Sequence, residues 1–152
     1  MIRRSNAADC GDIYEMICDM EKETLDRNVF DLIYLEQLNN ENMLCLVSED
    51  GGGVRAFINL RFEMQLHHCE RICEIMEFVV KDGYRDRGLG AAVLEAAFRA
   101  ARENGCAQIE VACNQLREDA HRFYIREGMN NFHYKFSKRL SGRDSGENRL
   151  GR

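Results

Sequence analysis

The sequence lacks the patterns that mark membrane, secreted and metal-finger proteins. No apolar run is long enough to span a bilayer, and the first residues, MIRRSNAADC, do not form a secretory signal pattern. The seven cysteines form no CxxC pair, and an odd number cannot all be joined in disulfides. We therefore expect a cytoplasmic protein with reduced thiols and no membrane contact.

The charge balance disfavours a general nucleic-acid binder. The chain has 21 Lys and Arg residues against 26 Asp and Glu residues, and its net charge is -5. Any phosphate contact should therefore be local. With 152 residues, 45% of them hydrophobic, the chain supports one core rather than two. We expect one domain over residues 1–140 and a disordered tail over residues 141–152, which are nearly devoid of apolar side chains.

Two hydrophobic periods alternate along the chain and predict a mixed α/β domain. Apolar residues at helical spacing predict helices near residues 13–20, 30–38 and 89–101 and over EDAHRFYIRE. Alternating residues predict strands at MIRRS, MLCLVSE, VRAFINLRFEMQL, RICEIMEFVV, AQIEVAC and NFHYKFSK. The HHC stretch is the expected hairpin turn between the two longest strands.

The loop RDRGLGA, between a predicted strand and the third helix, has the features of an anion site. Gly88 and Gly90 let the backbone approach a ligand closely where unpaired helix N–H groups converge. Arg85 and Arg87 add side-chain donors suited to phosphate. A diphosphate is the natural ligand of such a loop.

Nucleotide-binding motifs of two known kinds fit this loop less well. A P-loop requires GK[ST] after the glycines, which is absent. A dinucleotide fingerprint is half present, but Val93 occupies its third glycine position and the first glycine lies too far from the strand. A glycine turn that merely starts a helix stays open as the plainest alternative.

Two segments together resemble the GNAT superfamily of N-acetyltransferases. Arg85, Gly88 and Gly90 are similar to its RxxGxG/A motif, placed after a strand and before a long helix. The downstream segment NQLREDAHRFYIREGM is similar to a second family segment through Asn114, Ala120, Phe123, Tyr124, Gly128 and Met129. The resemblance covers roughly residues 1–140.

The resemblance implies both a fold and a donor. The fold is a central, mostly antiparallel twisted sheet, splayed at the acetyl-CoA site and flanked by helices. Acetyl-CoA would place its pyrophosphate on the amides from Arg85 to Ala91 and its pantetheine arm between the strands that end near Val80 and Val111. The implied donor-binding residues are Phe78, Val79, Val80, Arg85, Asp86, Arg87, Gly88, Leu89, Gly90, Ala91, Asn114 and Tyr124.

Acetyl transfer to an amine requires a base and an acid. Glu74, by its register with the family, is the first candidate base, Glu77 is the second, and Glu63 on the partner strand is a third. Because three positions separate Glu74 and Glu77, strand alternation predicts opposite faces. Tyr124 matches the family's acid for the departing thiolate. The plain alternatives are solvated strand glutamates and an ordinary half-buried tyrosine.

A finer resemblance concerns the acceptor. LHH, CEIMEFVV, DAHRFYIREG and HYKFSKRL together look like the aminoalkylphosphonate N-acetyltransferases, which imply a small amine acceptor and an associated divalent metal. Arg61, Arg71, His68 and Lys135 are unranked candidates for the anionic group. As strand neighbours, His67 and His68 should face oppositely, so only one could join Glu63 or Glu74 at a metal. The plain alternative, that both are ordinary hairpin-turn histidines, is favoured, and metal ligands are not assigned.

Two functional alternatives stay open. A protein N-terminal or lysine acetyltransferase would keep the fold and the donor but have a wider acceptor groove. A coenzyme A binding module would lack catalysis altogether. The family also implies a homodimer, and the favoured mechanism is direct transfer without a cysteine acyl-enzyme.

Overall fold

The computed structural model of the chain describes residues 1–142. It divides into two compact units, the first from Met1 to Val111 and the second beginning at Ala112. The tail predicted from Ser141 onward lies almost entirely outside the described residues, so it stays a prediction, as does the single domain over residues 1–140.

The first unit contains five strands and three α-helices. A 3-10 turn over Ala7–Asp9 precedes the first helix. The strands are β1 (Ile2–Arg4), β2 (Met43–Asp50), β3 (Gly53–Gln65), β4 (Glu70–Val80) and β5 (Gln108–Val111). The helices are α1 (Cys10–Glu21), α2 (Arg27–Leu38) and α3 (Leu89–Glu103). None of the helices described in this structure is both long and apolar enough to cross a membrane.

The five strands form one sheet in sequence order. The β1–β2, β2–β3 and β3–β4 pairs are antiparallel, and β4–β5 is parallel. A parallel pair needs a crossover connection, and α3 supplies it. The mixed α/β class and the mostly antiparallel sheet are thus confirmed, as is the hairpin turn between the two longest strands.

Apolar stripes on the helices build the core of this unit. Ile13, Met16 and Ile17 of α1 belong to one buried cluster with Val47 and Phe57 of the sheet. In α3 the most buried residues are Val93, Leu94 and Ala97, all with 0% exposure. The helix periodicity in the sequence therefore predicted the buried stripe of α3 correctly.

The second unit contains α4 (Glu118–Arg126), which ends before Gly128 at a φ of 88°. The strand predicted over residues 131–138 is wrong: the structure assigns no strand there, and Phe132, Tyr134 and Phe136 are each at least 80% exposed. Alternation alone does not make a strand, because its N–H and C=O groups must also pair with a neighbour. Such pairing is absent along this segment of the described chain.

Candidate active site

The loop between β4 and α3 adopts a backbone that needs glycine and a short polar residue. Gly88 precedes the helix with a φ of 76°, and Asp86 has a φ of 59°. A side chain with a Cβ atom is strained in this left-handed region, although Asp tolerates it better than most residues. The amides of this loop therefore lie outside the helical hydrogen-bond pattern of α3.

These amides are available to a ligand. Within the described residues, no hydrogen bond is donated by the amides of residues 85, 86 and 88–91; the Ala92 amide donates to the Gly88 carbonyl at 3.0 Å. Tyr84 links the loop to β3 through two cation–π contacts. The guanidinium carbons of Arg55 and Arg87 lie 4.9 and 5.9 Å from the centroid of its ring. The positive end of α3 thus stays open for an anion.

Strand β4, which leads into this loop, is paired unequally along its length. Its lower half, Ile72–Ile75, pairs with β3 on one side and with β5 on the other. Residues 77–80 pair with β3 only, and no described strand lies along their other edge. Phe78, Val79 and Val80, the three residues predicted on this strand, lie on this stretch of β4.

A β-bulge separates the two halves of β4. Asn59 is opposite Glu77 and Leu60 is opposite Ile75, so Met76 is the extra residue. Residues 59 and 61 of β3 share a face, and their partners are Glu77 and Glu74. The expectation that the two glutamates face oppositely is therefore wrong: simple alternation fails across the bulge, and both carboxylates lie on one face.

Charged side chains cover this face below the bulge. An Arg61 terminal nitrogen lies 2.6 Å from a Glu74 carboxylate oxygen and 3.6 Å from a Glu63 oxygen. Glu110 of β5 is directly opposite Glu74, and His68 lies 3.6 Å from its carboxylate. Three carboxylates, one guanidinium and one imidazole thus lie below the bulge on a single surface, which we call the carboxylate face and which also carries Glu77.

The structure separates the predicted acceptor-binding cations. Arg61 and His68 lie on the carboxylate face. Arg71 lies on the opposite face. Its neighbour Ile72 is opposite Glu63 on the carboxylate face, so alternation places Arg71 on the other side, where its guanidinium carbon is 5.5 Å from the Phe62 ring centroid. Lys135 belongs to the exposed segment of the second unit. Of the three candidates in the first unit, Arg61 and His68 are therefore grouped with Glu74, and Arg71 is not.

The opposite orientation expected of His67 and His68 as strand neighbours does not occur, and the structure matches the alternative of hairpin-turn histidines. His67 and His68 belong to the turn between β3 and β4, not to a strand, and their ring centroids are 4.1 Å apart. Strand alternation does not apply in a turn. Within residues 1–142 no group of three or more His, Cys, Asp or Glu side chains is arranged to hold a metal ion. We therefore propose no metal site.

The second unit holds the predicted acid. Burial, mainly, raises the pKa of Tyr124 to about 12, with a smaller contribution from Cys113. Asn114 precedes α4: its side-chain oxygen accepts from the Leu116 amide at 2.8 Å, and its carbonyl lies 2.7 Å from a His121 ring nitrogen. A phenol in this state is protonated at neutral pH and can donate a proton.

One residue with a clear structural role was not predicted from the sequence. Asn59 is 2% exposed; its amide nitrogen donates to the Gln37 side-chain oxygen at 2.8 Å, and its oxygen accepts from the Glu77 amide at 2.6 Å. The signal was present in the sequence, since a polar residue in the apolar strand VRAFINL must find partners when it is buried.

Comparison with known proteins agrees with this geometry. Residues 11–129 match the model of the acetyltransferase (GNAT) family. An aminoalkylphosphonate N-acetyltransferase from Salmonella typhimurium is 34% identical over 139 residues, which cover 91% of this chain and 90% of that protein. The chain therefore belongs to the GNAT family of acetyltransferases, and it is an acyltransferase of the N-acetyltransferase kind.

Solved structures agree on the fold. A transcriptional regulator from Bacillus halodurans C-125 superposes with a TM-score of 0.86 at 20% identity, covering 92% of this chain and 99% of that one. The protein AAC(6')-Iy, solved with the bisubstrate analogue CoA-S-monomethyl-acetylneamine, gives a TM-score of 0.81 at 13% identity, covering 93% and 98%. The GNAT fold expected from the two sequence motifs is thus confirmed.

Proposed function

We propose that this enzyme transfers an acetyl group from acetyl-CoA directly to the primary amine of a small anionic acceptor, an aminoalkylphosphonate. One observation carries the proposal: Glu74, Glu77 and Arg61 lie on a single face of the sheet, beside the singly paired half of β4. The arrangement offers carboxylates to an ammonium group and a guanidinium to an anion. The 34% identical relative is named for this acceptor class.

The donor is assigned to the open edge of β4 and the loop after it. The amides of residues 85, 86 and 88–91 have no hydrogen-bond acceptor within the described chain, which suits the oxygens of a pyrophosphate. The amides and carbonyls of a pantetheine arm suit the main-chain edge at Val79 and Val80. The relative solved with a coenzyme A bisubstrate analogue has the same fold, which supports this donor.

The carboxylates are assigned to the proton chemistry of the amine. A protonated amine loses one proton before it attacks the thioester carbonyl, and it loses a second when the tetrahedral intermediate collapses. We assign the base to Glu74, acting through water, with Glu77 as the second candidate. Arg61 holds one Glu74 oxygen at 2.6 Å, which leaves the other oxygen to accept a proton.

Collapse of the intermediate breaks the carbon–sulfur bond and leaves a thiolate that takes up one proton. We assign this proton to the Tyr124 phenol, following the family resemblance. Because burial raises the pKa of Tyr124 to about 12, the phenol carries its proton throughout the neutral range.

Direct transfer is favoured over an acetyl-cysteine intermediate. Burial raises the pKa of the Cys73 thiol to about 12, and burial also raises the pKa of Cys113. A thiol that stays protonated at neutral pH is a weak nucleophile. Initial-rate kinetics should therefore give intersecting lines, and ping-pong kinetics with acetyl trapped on either cysteine would contradict direct transfer.

The test is a thiol-release assay with acetyl-CoA and pairs of acceptors that differ only in the anionic group. Each aminoalkylphosphonate is matched with the amino acid that has a carboxylate in the same place, and a polyamine and a peptide are included. Selective turnover of the phosphonates is the expected result. Preference for the peptide would support a protein acetyltransferase, and donor binding without any turnover would support a coenzyme A binding module.

A further inference from the structure

The bulge in β4 is held by a buried side chain that contacts no reacting group in the proposed mechanism. Inserting Met76 displaces the Glu77 amide from simple cross-strand pairing, and the Asn59 side-chain oxygen accepts from this amide at 2.6 Å. Asn59 is 2% exposed, so water cannot replace this acceptor readily. The Asn59 carboxamide therefore satisfies the main chain at the point where the strand departs from regular pairing.

The orientation of Asn59 is set by α2. A carboxamide has an oxygen end and a nitrogen end, and only the oxygen end can accept from Glu77. The nitrogen end donates to the Gln37 side-chain oxygen at 2.8 Å. Gln37 is in the last turn of α2, one residue before the helix ends at Leu38. The contact between α2 and β3 thus selects the rotamer that satisfies the bulge.

We propose that Asn59 is a positioning residue for acetyl transfer, oriented by Gln37 and acting through the Glu77 main chain. With the bulge in place, Glu74 and Glu77 lie on the same face. Without it, regular alternation would send one of them to the opposite face, away from Arg61. Asn59 and Gln37 thereby couple the last turn of α2 to the catalytic carboxylates.

The first test needs no substrate. Amide hydrogen exchange of Glu77 is measured by NMR in the wild-type chain and in Asn59→Leu, which keeps a similar volume but has no acceptor. Exchange at Glu77 should accelerate by about tenfold or more relative to neighbouring β4 amides. Ser48→Ala is the control, because it removes another buried polar side chain from the same sheet. Ser48 is in β2, which does not pair with β4 or its bulge.

The second test separates orientation from folding through a partly exposed position. Gln37→Glu retains an oxygen that can accept from Asn59, whereas Gln37→Leu does not. Gln37→Leu should lower kcat about fivefold with the KM for acetyl-CoA unchanged, while Gln37→Glu stays within about twofold of wild type. Thermal melting checks that both variants are folded at the assay temperature.

The kinetic part of this inference rests on the proposed function, and the exchange experiment does not. If the wild-type chain acetylates no amine, the proposed function fails while Glu77 exchange still decides the role of Asn59. Unchanged Glu77 exchange in Asn59→Leu would overturn the proposal. Equal losses of kcat in Gln37→Leu and Gln37→Glu would also overturn it, because a general packing effect would then explain both.

Discussion

The two halves of β4 each combine three apolar residues with one glutamate but have different surroundings. Ile72–Ile75 is a double-sided strand, with β3 and β5 at its edges, and two of its apolar side chains, Ile72 and Ile75, are at most 2% exposed. Residues 77–80, beyond the bulge at Met76, pair with β3 on one edge, and no strand within residues 1–142 is paired with the other edge. In the function we propose, Glu74 is held between two neighbouring strands, and the residues beyond the bulge contact the donor.

The comparison shows how one strand can supply both parts of a transferase. Catalytic groups need fixed positions, and an interior strand provides them. A ligand that binds through main-chain hydrogen bonds needs an unpaired edge. The bulge lies between these two parts of β4, so the candidate base and the candidate donor-binding edge are only a few residues apart. Substitutions in the lower half should therefore affect kcat, and substitutions beyond the upper half should affect donor binding.

The largest loss should come from the paired half. Glu74→Gln removes the candidate base while keeping the shape and one acceptor for Arg61, and kcat should fall about a hundredfold or more. Steady-state kinetics with saturating acetyl-CoA measures this effect. Glu77→Gln is the matched variant beyond the bulge; a larger loss there than at Glu74 would reverse the assignment of the base.

A smaller loss is expected at the candidate acid in the second unit. Tyr124→Phe removes the proton donor for the thiolate but keeps the ring, and kcat should fall about 30-fold, less than for the base because a thiolate leaves readily. An unchanged kcat, measured at several pH values, would remove Tyr124 from the mechanism.

Tyr124 also gives a pH prediction for stability. Its pKa is raised to about 12 in the folded chain, against an ordinary value of 10.0. The contribution of the protonated phenol to folding is therefore complete below pH 10 and is lost as the pH rises from 10 to about 12. Urea unfolding across this range should show a shallower decline for Tyr124→Phe than for wild type.

A change in donor binding is expected at the loop beyond the open edge. Gly88→Val places a β-branched residue at a φ of 76°, and the strain of about 1–2 kcal/mol should raise the KM for acetyl-CoA about tenfold. Gly105→Val is the control, since Gly105 has a φ of 74° at the other end of α3. If both variants raise the donor KM equally, the loop has no special role.

The smallest expected effect is a change in the acceptor KM, tested by one substitution on each face of the sheet. Arg61→Ala should raise the KM for an aminoalkylphosphonate about fivefold, because a partly exposed charge pair is worth about 1 kcal/mol. Arg71→Ala, which changes the opposite face, should leave this KM within the error of the measurement. The reverse pattern would mean that the acceptor's anionic group binds on the face opposite to the one we propose.

The sequence predicts regular elements well and their irregularities poorly. The stripe of Leu94 and Ala97 identified α3, and the two long alternating runs identified the β3–β4 hairpin. The bulge at Met76 has no glycine or other mark in EIMEF, and it arises from pairing with Asn59 on a distant segment. The predicted relation between Glu74 and Glu77 was therefore wrong, although both residues were chosen.

The backbone of the loop before α3 was predictable because its geometry is local. Gly88 at positive φ and the unpaired amides that follow it are consequences of a short segment of chain. Partners across the sheet, such as Arg61 with Glu74, depend on register that one sequence does not determine. The same limit explains why Arg71 could not be separated from Arg61 before the fold was known.

The most direct measurement is an NMR titration of the chain with coenzyme A, following the backbone amides of β4 and the loop after it. We predict large shifts for residues 77–80 and 85–91 and small ones for Ile72–Ile75. Equal shifts along both halves of β4, or shifts confined to other strands, would contradict the division of this strand into a catalytic half and a donor-binding half.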